Sequence, residues 1–250
     1  MRISVELVPR SPSAVVRDAH FIRERFGWVT MLNIPDLLRF PLRSWNACAA
    51  TASIYRSSVP HVRAIDVAPH DPLAMLETVL AAGLTEVLVV SGDPPHDFDH
   101  VAYPQSSVDV IRRFKRECPQ LVVYAALDPY RQGIRAECDY VARKIDAGAD
   151  GFFTQPFFDL RLLEVYAELL EKHVVFWGVT PIVTQGARAY WETTNRVVLP
   201  RLFRPTMEWN REFARDVLRF AKSIDSNVYL MPIRVDLAEY LDGLMSTARA

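Results

Sequence analysis

The chain has 250 residues, of which 50% are hydrophobic and 24% charged, with 29 Lys and Arg against 30 Asp and Glu for a formal net charge of -1. That balance builds a globular core and excludes a disordered or fibrous chain, and it gives no global electrostatic pull toward nucleic acid or a membrane surface. Cys48, Cys118 and Cys138 are scattered without a CxxC pair, which excludes a zinc knuckle or a disulfide framework, and no run approaches the ~20 apolar residues that span a bilayer, so a cytoplasmic protein is expected.

The first predicted strand, residues 3–8, reads Ile-Ser-Val-Glu-Leu-Val, which puts Ser4 and Glu6 on one face and Ile3, Val5 and Leu7 on the other. A helix over 15–26 leads to a strand over 28–33, ending at Asn33, and then to a helix over 45–55. The third strand, 61–66, places His61 and Arg63 together and Asp66 opposite. Asp71-Pro72 marks the start of a helix that Ala82-Gly83 stops. Strand 86–91 runs into Ser91-Gly92-Asp93-Pro94-Pro95, where glycine permits close approach and two prolines stiffen the loop behind a carboxylate. An Asp in that setting forms a turn as readily as it holds a ligand.

Ser107 opens a helix to 118, the strand over 121–126 carries Tyr124, and the helix over 133–147 carries Lys144 and stops at Gly148. Strand 151–155 ends at Gln155, whose amide both donates and accepts, and Phe157-Phe158 follows, a pair as suited to a core as to a ligand wall. Helix 160–172, strand 175–179, an irregular helical stretch over 184–203, helix 208–223, strand 228–231 and a last helix over 236–247 complete the order.

Eight strands in alternation with helices predict an α/β protein with a parallel sheet, and eight such units close as a single-domain (β/α)8 TIM barrel over residues 1–250. An open doubly wound sheet is disfavoured, because its GxGxxG fingerprint is absent. Chemistry in such a barrel gathers at the C-terminal strand ends. Glu6 would then lie inside, where burial raises its pKa as a general acid requires; a buried ion pair with Arg63 is the equal alternative. A lone histidine such as His61 is more often structural than catalytic, and Lys144 by itself reads as a solvated helix residue.

Taken together, these segments resemble the methylenetetrahydrofolate reductase family. The carriers are Ser4-Val5-Glu6, Pro60-His61 with Ile65-Asp66, Ser91-Gly92-Asp93-Pro94-Pro95, and above all 143–149 (Arg-Lys-Ile-Asp-Ala-Gly-Ala) leading to 154–159 (Thr-Gln-Pro-Phe-Phe-Asp). Weaker echoes stand at 178–182 and 228–234. The resemblance implies a (β/α)8 barrel that reduces a folate-bound methylene group to methyl, with FAD as cofactor, NAD(P)H as electron donor, and a homo-oligomer or a partner subunit. By position it makes Glu6 the acid that opens the folate ring, and it sets Asp93 beside flavin and pterin. It also makes His61, Tyr124 and Lys144 flavin contacts, and Gln155 and Asn33 folate contacts. The chain departs from the family pattern where Met31-Leu32-Asn33 replaces Thr-Tyr-Gly, where Ser91 replaces an arginine, and where Gln185-Gly186 replaces an aromatic. These changes open a second reading, a flavin-free folate-binding homologue acting by direct hydride transfer or with a methyl-transfer partner. A folate-binding scaffold without catalysis ranks third.

Overall fold

In the computed structural model, which describes residues 1–94 and 100–245, eight parallel strands close into a barrel in chain order. They are β1 (Ile3–Glu6), β2 (Met31–Ile34), β3 (Ser58–Arg63), β4 (Glu86–Val90), β5 (Val122–Leu127), β6 (Gly151–Pro156), β7 (Val174–Val179) and β8 (Asn227–Leu230), the last pairing back onto β1. Around them run α1 (Pro12–Arg25), α2 (Ser44–Thr51), α3 (Leu76–Ala81), α4 (Ser107–Glu117), α5 (Ile134–Asp146), α6 (Leu160–Leu169), α7 (Gln185–Thr193), α8 (Met207–Ser223) and α9 (Leu237–Leu241). The single-domain (β/α)8 barrel expected from the alternation is the fold observed. Pro95 of the proline loop lies outside the described residues, and the helix expected over 236–247 stops at Leu241, with 246 and 247 also outside them.

The helix starts follow their caps. Ser106, one residue before the expected start of α4, forms a reciprocal capping box with Asp109, and Asp159, Thr184, Thr206 and Asp236 each accept a backbone N–H at the start of α6, α7, α8 and α9.

Several element bounds differ from their sequence signals, and three of the differences show their cause. Strand β3 starts earlier, at Ser58, and ends at Arg63, because Ala64–Asp66 tighten into a 3-10 turn; Asp66 therefore lies beyond the strand. The helix expected from Asp71-Pro72 begins only at Leu76. The buried Arg113 guanidinium of α4 donates to the carbonyls of Ala68 and Asp71, which commits them to a side chain and holds that stretch as a loop. The stretch over 184–203 is helical only to Thr193; Arg196 then takes a φ of 56°, and Val197 and Phe203 fold back against Phe158, Ile182 and Trp191.

Alternation along each strand separates two apolar layers. Val5, Leu32, Val62, Val89, Val123, Phe152, Val175 and Val228 face the helices. Met31, Val59, Leu88, Tyr124, Phe153, Phe176, Tyr229 and Met231 fill the barrel. The N-terminal end of the barrel is closed by polar groups: Arg2 makes a bidentate pair with Glu86 at 2.7 and 2.8 Å, and Glu86 also accepts from the hydroxyls of Ser57 and Tyr124. At the other end β6 is irregular, and Gly178 of β7 comes so close that an added Cβ would stand 2.4 Å from the Thr154 carbonyl. Among the described residues no helix is long and apolar enough to cross a membrane.

Candidate active site

Glu6 is the last residue of β1, and its side chain turns into the barrel at the C-terminal end, as the Ile-Ser-Val-Glu alternation predicts. Burial pushes its carboxyl up to about 7, against the opposing effect of a hydrogen bond donated by the Tyr229 hydroxyl to Oε2. Arg63 does not pair with it, which corrects the ion-pair alternative. The Arg63 guanidinium instead lies 3.4 Å from Asp66 and donates to the main-chain carbonyl of Asp93.

Two neighbours of Glu6 are buried polar groups in need of partners. Asn33, the β2 residue in register with Glu6, is fully buried; its amide lies beside the Tyr229 hydroxyl, yet neither its N nor its O makes a well-formed hydrogen bond. His61 on β3 is buried with Nε2 unpartnered, and desolvation holds its pKa down to about 3, so the imidazole is neutral. It is not the satisfied structural histidine that its isolation in the sequence suggests. Ser4, one layer deeper on β1, has an unpartnered hydroxyl. Unsatisfied buried donors and acceptors each cost of order 1–3 kcal/mol, and their convergence at a strand end is the arrangement of a site built for a polar ligand.

Asp93 and Gln155 stand on the rim at this same end, both exposed. The irregularity of β6 falls at Gln155 and turns its amide toward solvent. Ser91, where the resembled family carries an arginine, receives a hydrogen bond from Arg131 of the loop after β5.

The remaining flavin assignments are not brought together. Tyr124 points the other way: its hydroxyl bonds Glu86 and Arg2 at the N-terminal end of the barrel, which corrects its reading as a flavin contact. Lys144 is buried rather than solvated, with Nζ donating to the Ala126 carbonyl and lying 3.9 Å from the centre of the Tyr140 ring. Desolvation lowers its pKa to about 8. Between the ends of β3 and β4, the Arg63 side chain packs against Gly92, where an added Cβ would meet Nε at 3.1 Å. Among the described residues assigned to flavin, His61 offers an unpartnered nitrogen inside the barrel and Asp93 an exposed carboxylate at its rim, whereas Tyr124 and Lys144 are engaged elsewhere.

Tyr229 is the residue that the sequence reading passed over. It stands mid-strand in β8, and a tyrosine on the inward face of a small barrel must find a partner for its hydroxyl, a signal available from alternation alone. Arg43 pairs with Asp36 of its own loop at 2.6 Å and with Asp66 at 3.4 Å, and the second pair escapes local pattern because it joins the loop after β2 to the turn after β3.

Solved structures of similar shape include an oxaloacetate acetylhydrolase, with a TM-score of 0.57 at 10% identity over 93% of this chain and 75% of that one. A 2,3-dimethylmalate lyase of the PEP mutase/isocitrate lyase superfamily gives 0.57 at 12% identity over 94% and 75%. At these identities the likeness extends to the fold alone. Sequence is more specific: residues 44–199, more than half of the chain, match the description of methylenetetrahydrofolate reductase, so the chain belongs to the methylenetetrahydrofolate reductase family.

Proposed function

We propose that this protein reduces 5,10-methylenetetrahydrofolate to 5-methyltetrahydrofolate with NADH or NADPH as hydride source, and that Glu6 supplies the proton. The observation that carries this reading is the half-buried Glu6 carboxyl turned into the C-terminal end of the barrel, raised by desolvation to about 7, at the same end as two buried polar side chains, Asn33 and His61, that lack partners. The methylene carbon of the folate bridges two nitrogens in a five-membered ring. Transfer of the Glu6 proton to one of them lets its C–N bond break, with the electron pair going to that nitrogen, and leaves an iminium on the other. Hydride from the reduced nicotinamide adds to the iminium carbon and makes the methyl group. Glu6, left as a carboxylate, recovers its proton from solvent. Asn33 and His61 hold the polar edge of the bound heterocycle, while Asp93 and Gln155 meet it at the rim.

The rate at saturating substrates is expected to fall about tenfold per pH unit above about pH 7, because the proton-bearing form of Glu6 disappears there. His61, already neutral, adds no limb between pH 5 and 8. A rate that instead rises through pH 7 would exclude Glu6 as the donor.

Direct transfer between nicotinamide and folate, without flavin, is favoured by the placement of Tyr124 at the opposite end of the barrel and by the Arg63 side chain packing against Gly92 and donating to the Asp93 carbonyl. The purified protein is expected to be colourless, and titration with FAD followed by protein fluorescence to give no saturable one-to-one binding. A yellow protein with stoichiometric flavin would overturn direct transfer and restore the flavin relay.

A further inference from the structure

We propose that Tyr229 positions the Glu6 carboxyl and holds its negative charge once the proton has left. This rests on the reading of Glu6 as proton donor. Glu6 ends β1 and has three side-chain torsions, so its carboxyl needs a fixed neighbour to aim it. The Tyr229 hydroxyl donates to Oε2 from the adjoining strand β8, leaving Oε1 to carry the transferable proton. The phenol is itself fixed: Phe153 meets its ring edge-to-face at 5.3 Å, His61 at 6.4 Å, and Asn33 lies beside its oxygen.

Among the described residues the surroundings leave Tyr229 as the controlling partner. Glu6 shares the inward face of β1 with Ser4, lies in register with Asn33 on β2 and accepts from Tyr229 on β8, whose ring meets His61 of β3. From β4 to β7 the interior presents Leu88, Tyr124, Phe153 and Phe176, and the Tyr124 hydroxyl is engaged with Glu86 and Arg2 at the far end. The nearest cation on β3, Arg63, is committed to Asp66 and the Asp93 carbonyl. Burial keeps Tyr229 protonated, so it donates whatever the state of Glu6. Its bond to the neutral acid is an ordinary one, and as the proton moves to the folate nitrogen the bond becomes charge-assisted and stronger. It therefore stabilises the proton-transfer transition state more than the ground state.

Tyr229→Phe keeps the ring and removes the hydroxyl. A hydrogen bond to a carboxylate lowers its pKa, so losing it should move the alkaline limb of the rate profile up by about one pH unit or more, with the plateau rate down about tenfold and KM for the folate within about twofold. The infrared band of the protonated Glu6 carboxyl, identified by its absence from Glu6→Gln, should titrate with a midpoint raised by the same amount. Site-specific incorporation of 3-fluorotyrosine at 229, nearly isosteric and a stronger donor, should move the limb down. Unmoved midpoints in the Phe variant would overturn the proposal whatever the fall in rate, and if that variant does not fold, an unmoved limb in the fluorotyrosine enzyme overturns it alone. A fully active Glu6→Gln enzyme would overturn the underlying reading, and is distinguishable because a failure confined to Tyr229 leaves Glu6→Gln inactive.

Discussion

Glu6→Gln is expected to lower the rate of methylenetetrahydrofolate reduction by about 10²- to 10⁴-fold, the usual contribution of a positioned acid, while the protein stays folded. Glutamine is nearly isosteric, and its amide oxygen still accepts from Tyr229, so the contacts around β1 persist. Linkage sets the sign of the stability change. Burial raises the carboxyl from its ordinary 4.5 to about 7 in the folded protein, because it disfavours the charged form. Stability is fully present below the unfolded value and is lost as pH rises through the folded one. Glu6→Gln should thus melt near the wild-type temperature at pH 4 and at or above it at pH 8. Product quantified by chromatography and melting followed by circular dichroism check both halves; a variant within tenfold of wild type would remove Glu6 from the reaction.

Phe153→Ala is expected to destabilise the fold by about 3–5 kcal/mol, the usual cost of emptying an aromatic site in a core. Phe153 stacks on Phe176 at 4.1 Å and meets Tyr124 and Tyr229 edge-to-face at 5.1 and 5.3 Å, so one truncation strips contacts from three inward rings on β5, β7 and β8. It also loosens the phenol that faces Glu6, so activity should fall in the surviving folded fraction. Phe153→Leu, closer in volume, should cost about 1.5 kcal/mol or less and keep most activity. Urea unfolding with an unchanged slope measures both. A loss under about 1 kcal/mol in the alanine variant would mean that the barrel interior is not packed around this ring.

The barrel was legible because it is written in short-range pattern. Eight β-branched runs alternate with helix-period segments, and the position of Glu6 follows from a period of two within a single strand. The same period names the face of Tyr124 but not the end toward which its long side chain reaches. That was decided by Arg2 and Glu86, which lie 84 positions apart and meet only when the barrel closes. Lys144 shows the same limit: a lysine in a helix reads as solvated until the packing of α5 puts its ammonium under the Ala126 carbonyl and over the Tyr140 ring. The short α3 was hidden for a similar reason, since Asp71-Pro72 is a sound start signal that Arg113, more than forty residues away, overrides. Local chemistry thus predicted elements and faces, whereas ion pairs between distant elements chose which polar groups remained free for a ligand.

Isotope transfer tests the proposed chemistry most directly. Purified protein, with no flavin added, is given 5,10-methylenetetrahydrofolate and a reduced nicotinamide carrying deuterium at both C4 positions, and the product is weighed by mass spectrometry. Direct hydride transfer at the Glu6 site predicts 5-methyltetrahydrofolate whose methyl group carries one deuterium, formed at a rate that falls above about pH 7. Absence of the methyl product would contradict the reductase reading. A methyl product whose deuterium has been lost to solvent would contradict direct transfer, because it would mean that the hydride had passed through an exchangeable carrier such as a flavin.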